Sequence, residues 1–146
     1  MSDIFGDLRD WKRVLKQIEQ VRLAGQLDEH QEGLTRVLRY RYNGQLRRAA
    51  LRAAPDLKRP SKDLVDVLLE IVRDEYCDLE TRLLACDAVR HSISRRRDQE
   101  GTGGFESDAF RCAGEILRAP QPEVLREAVQ RWLVLKPEPV EQAPAT

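Results

Sequence analysis

A chain of 146 residues, 41% apolar and 34% charged but only 5% aromatic, has the size of one ordinary domain and a balance that suits amphipathic helices better than a β-sandwich. Its 25 basic and 25 acidic groups leave a net charge of zero, which excludes a global field drawing it to nucleic acid or an anionic membrane. No stretch approaches the length of a membrane span, and the first residues lack the basic start and apolar run of a secretory leader, so a cytoplasmic protein is expected.

Apolar residues recur at helical spacing nearly throughout and nowhere hold a period of two, which predicts an all-α fold of about seven helices. The first spans residues 8–23, with Leu8, Trp11, Leu15 and Ile18 on one stripe, and ends near Gly25. The second opens at Asp28, a good N-cap with Gln31 placed to complete a capping box, and turns Leu34, Val37 and Leu38 inward. Asn43 and Gly44 break the pattern before an alanine-rich third helix, with Leu46, Ala49, Ala50 and Ala53 inward, which Pro55 ends. Ser61 caps a fourth helix whose stripe of Leu64, Val67, Leu68, Ile71 and Val72 marks it as a core element. Asp78 opens a fifth through residue 93, and residues 94–104, polar and glycine-bearing, read as an exposed loop. The sixth covers residues 107–117. Pro122 starts the seventh, which carries Val124, Leu125, Ala128, Val129, Trp132 and Leu133. Residues 1–135 therefore read as one helical domain, and the proline-rich tail 136–146 as disordered.

Three segments align without gaps, beginning at Leu46, Thr81 and Leu125. In each an arginine (Arg47, Arg82, Arg126) is followed by apolar residues two, three, six and seven positions later: Ala49, Ala50, Ala53 and Ala54; Leu84, Ala85, Ala88 and Val89; Ala128, Val129, Trp132 and Leu133. The offsets are 35 and 44 residues, the second holding the glycine-bearing stretch, which matches one helical hairpin per repeat with an insertion between paired helices. These segments resemble the first helix of HEAT repeats, where an arginine near the helix start precedes small and aliphatic residues. Over residues 43–135 the chain is similar to HEAT-repeat proteins, while residues 1–42 lack the arginine pattern and stand as a further pair or a cap. The resemblance implies a short α-solenoid with the second helices of its pairs lining one face. Members of the family are chiefly protein-binding scaffolds, some bind nucleic acid, and some HEAT-like proteins act as bilin lyases; fold alone does not choose among these.

No phosphate-binding, metalloprotease or nucleophile-elbow motif occurs, and the glycines at 101, 103 and 104 follow no strand that would make them a phosphate cradle. Cys77, Cys86 and Cys112 share no metal-type spacing and read as small buried hydrophobes. Asp87 and His91 sit four apart on one helix, a spacing that favours imidazolium, but with no nucleophile nearby they read as a surface pair. His30 has no second ligand. Asp63, Asp66, Glu70 and Asp74 form an acidic ridge opposite the apolar stripe of helix four, which without nearby histidine or glycine-turn chemistry reads as a solvated face. No catalytic site and no cofactor are expected.

Charge is unevenly distributed along the chain. Residues 36–62 hold nine basic groups and one acid, whereas residues 63–89 hold eight acids and two bases. With Tyr40 and Tyr42 interleaved, the basic block offers a nucleic-acid surface through Arg36, Arg39, Tyr40, Arg48 and Arg52. The competing expectation is internal neutralisation, with Arg36 and Arg39 facing Asp63, Asp66 and Glu70 across neighbouring helices. Solenoid ends need polar caps, so Trp132, Leu133 and Leu135, followed only by a proline-rich tail, predict pairing with another copy or a partner there. The leading functional expectation is a non-enzymatic module that docks a protein partner on a helical face, and the alternative is nucleic-acid binding by the basic block.

Overall fold

A computed structural model of the chain describes residues 4–97 and 105–135. Among them are seven α-helices, α1 (Trp11–Leu23), α2 (Gln31–Arg39), α3 (Gly44–Ala53), α4 (Lys62–Arg73), α5 (Leu79–Arg97), α6 (Phe105–Arg118) and α7 (Glu123–Val134), two short 3-10 turns and no strand. No described helix is long and apolar enough to cross a membrane. Residues 98–104 of the expected loop 94–104, with its glycines, and the expected disordered tail 136–146 lie outside the described residues.

Helix starts follow the capping chemistry of the sequence. The amide of Leu46 donates to Asn43 Oδ1 at 3.0 Å, that of Leu64 to Ser61 Oγ at 3.2 Å, and that of Thr81 to Asp78 Oδ2 at 3.0 Å. α1 closes in a Schellman turn, in which Gln26 N–H reaches Val21 O and Gly25 N–H reaches Arg22 O, with Gly25 at φ 69°.

Three local expectations are corrected. α1 starts at Trp11 and not at residue 8, because residues 5–8 turn back to bury Phe5 and Leu8 against the core. Asp28 caps no helix, since a 3-10 turn over Leu27–His30 intervenes; its carboxylate accepts from the amides of Lys58 and Arg59 at 3.0 and 2.7 Å. Gln31 assists by donating to Arg59 O and accepting from Ser61 N, both at 2.8 Å, so the expected capping box instead fastens the segment before α4. α5 runs on to Arg97, so the first part of the stretch read as loop is helical.

The helices alternate between two rows. α1, α3, α5 and α7 pack each against the next in one row, and α2, α4 and α6 do the same in the other. Consecutive helices pack closely as α2–α3, α4–α5 and α6–α7, whereas α1–α2, α3–α4 and α5–α6 make at most marginal backbone contact. The core lies between the rows, and α4 alone buries Leu64, Val65, Val67, Leu68, Leu69, Ile71 and Val72.

Each close pair is closed by the arginine of the recurring segment. Arg47 donates to Leu38 O at 2.8 Å, Arg82 to Val72 O through Nε and Nη2 at 2.9 and 2.7 Å, and Arg126 to Leu117 O at 3.0 Å. Leu38, Val72 and Leu117 are each the last residue but one of α2, α4 and α6, and in each case an arginine follows. The last turn of a helix leaves carbonyls without an intrahelical donor and carries partial negative charge, so a guanidinium from the next helix answers both needs. The repeat reading puts each arginine helix first in its pair, whereas α3 and α5 pack closely against the helix before them and at most marginally against the one after. Arg13 of α1 acts similarly on the N-terminal segment, donating to Phe5 O at 2.6 Å.

Candidate functional site

The most distinctive surface lies at the edge where the paired helices turn. α2 ends at Arg39, Tyr40 takes an extended conformation, and the capping Asn43 restarts the chain as α3, which leaves residues 40–42 at the rim. The rings of Tyr40 and Tyr42 meet edge-on with centroids 5.4 Å apart. On the adjoining turn, Asp74 Oδ1 accepts from Tyr76 N at 3.0 Å and Asp74 Oδ2 lies 3.8 Å from Arg41, which joins the two turns. Tyr42 and Tyr76 are 89% and 99% exposed.

Two cavities flank Arg39. One, of about 460 Å³ and open to solvent, is lined by Asp7, Leu8, Arg9, Arg36, Arg39 and Tyr40. The other, of about 250 Å³, is lined by Arg39, Arg41, Arg47, Val67, Glu70 and Asp74. Most of the charges are committed: Arg9 to Asp7, Arg36 to Gly6 O at 2.7 Å, Arg41 to Asp74 and Arg47 to Leu38 O. The side-chain hydrogen bond from Arg9 holds the Asp7 carboxyl below its ordinary range.

The sequence-predicted residues are only partly brought together. Arg36, Arg39 and Tyr40 share the first cavity, but Arg48 and Arg52 belong to the other row, where Arg52 lies 3.4 Å from Glu80. Hydrogen bonds from Thr81 hold the Asp78 carboxyl below its ordinary range, and the charge of Arg48 adds to the effect. The acidic ridge is also divided. Asp66 pairs with Lys62 on its own helix at 3.0 Å and Asp74 with Arg41, Glu70 lines the second cavity together with Arg39, and Arg36 donates to Gly6 O.

In the expected assembly face at the C-terminal helix, the exposure of Trp132 is corrected. Trp132 is fully buried, its indole N–H donating to Cys86 O of α5 at 3.0 Å, and Leu135 packs partly against the core. Leu133 remains exposed at that end, joined by Val124 and Val134. A further cavity of about 270 Å³ runs between α5 and α7 over Leu83, Cys86, Val124 and Ala128, with Asp87, Arg90, Glu127 and Arg131 at its rim.

His91 Nδ1 lies 2.9 Å from Asp87 O and 3.6 Å from the Asp87 carboxylate, beside an Arg90–Asp87 ion pair. The described residues contain no group of three or more metal-ligating side chains. Burial pushes the thiols of Cys86 and Cys112 up to about 12 and about 11.

Sequence reasoning missed Arg9, Asp7, Arg41 and Tyr76 as parts of this edge. Exposed aromatic residues in turns bounded by capping residues were the available signal for Tyr76; nothing local brings residues 7–9 to α2. In comparison with known proteins the chain matches no family model, no curated protein and no solved structure.

Proposed function

We propose that this chain is a non-enzymatic interaction module, a short α-solenoid of HEAT-like helical pairs that docks a protein partner. The observation that carries the reading is the recurring clasp in which Arg47, Arg82 and Arg126 each bind the last carbonyl but one of the preceding helix. Helices two apart in sequence are neighbours in their rows, as stacked helical pairs require. Such stacking exposes a long face with little internal chemistry, which suits docking better than catalysis.

Co-purification from the native cytosol under gentle salt should recover a partner at fixed stoichiometry. A chain that is always recovered alone would sink the proposal.

The alternative of nucleic-acid binding gains from the exposed tyrosines but loses from the charge arrangement. Arg48 and Arg52 stand beside Asp78 and Glu80, and the arginines of the tyrosine edge alternate with Asp7, Glu70 and Asp74. Phosphates at regular spacing would meet carboxylates. A twenty-nucleotide oligo-dT at low salt should therefore show no micromolar binding; binding that weakens by orders of magnitude between about 50 and 200 mM salt would favour the alternative.

A further inference from the structure

Among the arginines around the two edge cavities, Arg39 stands apart. Arg9, Arg36, Arg41 and Arg47 have their partners within the chain. Arg39 is exposed, lines both cavities, and makes no hydrogen bond or ion pair with the described residues. Its guanidinium is a forked donor of the geometry that grips a carboxylate with two parallel bonds. Tyr40 lies within the first cavity, and Tyr42 and Tyr76 stand exposed on the joined turns beyond it. Tyrosine and arginine are among the side chains that dominate binding where a partner covers them, because each joins a large contact area to hydrogen-bonding groups.

We propose that this edge takes an extended segment of a protein partner carrying a single acidic side chain, whose carboxylate binds Arg39 while flanking apolar side chains lie against Tyr42 and Tyr76. The inference rests on the docking reading above and names its site. Charge complementarity selects the occupant. Among the described residues, five arginines and three carboxylates line the two cavities, so this lining is positive. Glu70 enters the second cavity from α4 and also makes no hydrogen bond or ion pair with the described residues, so any further acidic group on that side of Arg39 is repelled. A peptide with one acid meets this pattern, whereas a polyanion does not.

The test is a titration of the isotope-labelled full chain with a five-residue blocked peptide, a glutamate between two leucines and two alanines, followed by amide and arginine side-chain resonances. The expected result is saturable shifts confined to the Arg39 side chain and the backbone of residues 39–42 and 74–78, with a Kd of about a millimolar. The glutamine counterpart and Arg39→Gln should each weaken binding about tenfold, while Arg59→Gln, far from the edge, should leave it unchanged. Equal binding of the glutamine peptide, shifts centred elsewhere, no saturable shift, or a preference for oligo-dT at the same edge overturns the proposal. The recovered partner separates the two levels. A partner retained by the Arg39→Gln chain refutes this edge and leaves the docking module standing, whereas no partner for either chain refutes the module.

Discussion

Replacing Arg82 by methionine probes the clasp at its most buried copy. Arg82 is 4% exposed, gives two hydrogen bonds to Val72 O and lies 3.3 Å from Gln121 Oε1. Methionine keeps the apolar stem and removes the charge, so the substitution tests the hydrogen bonds rather than a cavity. A carbonyl at the end of α4 would then be left without a donor in the interior, at about 1–3 kcal/mol. Releasing the guanidinium from its own desolvation returns part of that, and the net expectation is a loss of about 2 kcal/mol. Arg47→Met and Arg126→Met should cost less than about 1 kcal/mol, because those clasps are only partly buried and water reaches the freed carbonyls. Urea denaturation followed by helical circular dichroism reads the difference, and the Arg82→Met Tm should fall by about 6–8 °C for a chain of this size. An Arg82→Met protein within about 0.5 kcal/mol of the parent, or an Arg47→Met protein that loses as much, would refute the reasoning that burial sets the worth of the clasp.

Two glycines should respond with opposite signs to alanine. Gly25 sits at φ 69° with open space around it, so Gly25→Ala should destabilise by about 1 kcal/mol through backbone strain alone; Gly114, inside α6 with only Arg118 near its would-be Cβ, should gain about 0.5–1 kcal/mol, both read by denaturant midpoint. A thiol reagent at pH 8 should modify Cys77 first, although burial raises that thiol too, and should reach Cys86 and Cys112 only as fast as the fold opens; more than one rapidly reacting thiol in the native chain would contradict the packing. Because hydrogen bonds from Thr81 depress the Asp78 carboxyl below its ordinary 3.8, its contribution is complete above that value and is lost as pH falls through the lower folded value. Asp78→Asn should accordingly flatten the acid limb of the stability profile below about pH 4, and an unchanged limb would show the depression to be absent.

Helices were legible where periodicity and capping agreed. Ser61 and Asp78 cap where the sequence places helix starts, Asn43 caps where it shows only a break, and the stripe of α4 is buried as its spacing requires. The in-phase arginines were visible as a pattern, but their acceptor was not, because a backbone carbonyl leaves no mark in a sequence. Without the acceptor, the arginine helix was paired forwards to the next helix instead of back to the one before. Trp132 looked uncovered at the end of the seventh helix because its cover, the carbonyl of Cys86, lies 46 residues earlier. Asp28 carried a correct signal with the wrong beneficiary: a carboxylate near backbone donors was expected, but the donors belong to residues 58 and 59. The edge around Arg39 depends on the return of residues 7–9 to α2, a tertiary event that no local period encodes.

The marginal contact between α5 and α6 bears on how such a chain tolerates change in length. A connection inside a close pair is held to a fixed span, because the clasping arginine must reach the carbonyl nine or ten residues behind it. Between α5 and α6 the described residues carry no such clasp, and backbone contact is at most marginal. The position of the last pair is set instead by Trp132 on Cys86 and by the packing of α4 against α6. The seam after α5 is thus the natural place to splice in a tag, a reporter or a whole guest domain, and the longer spacing of the third arginine segment falls at that seam.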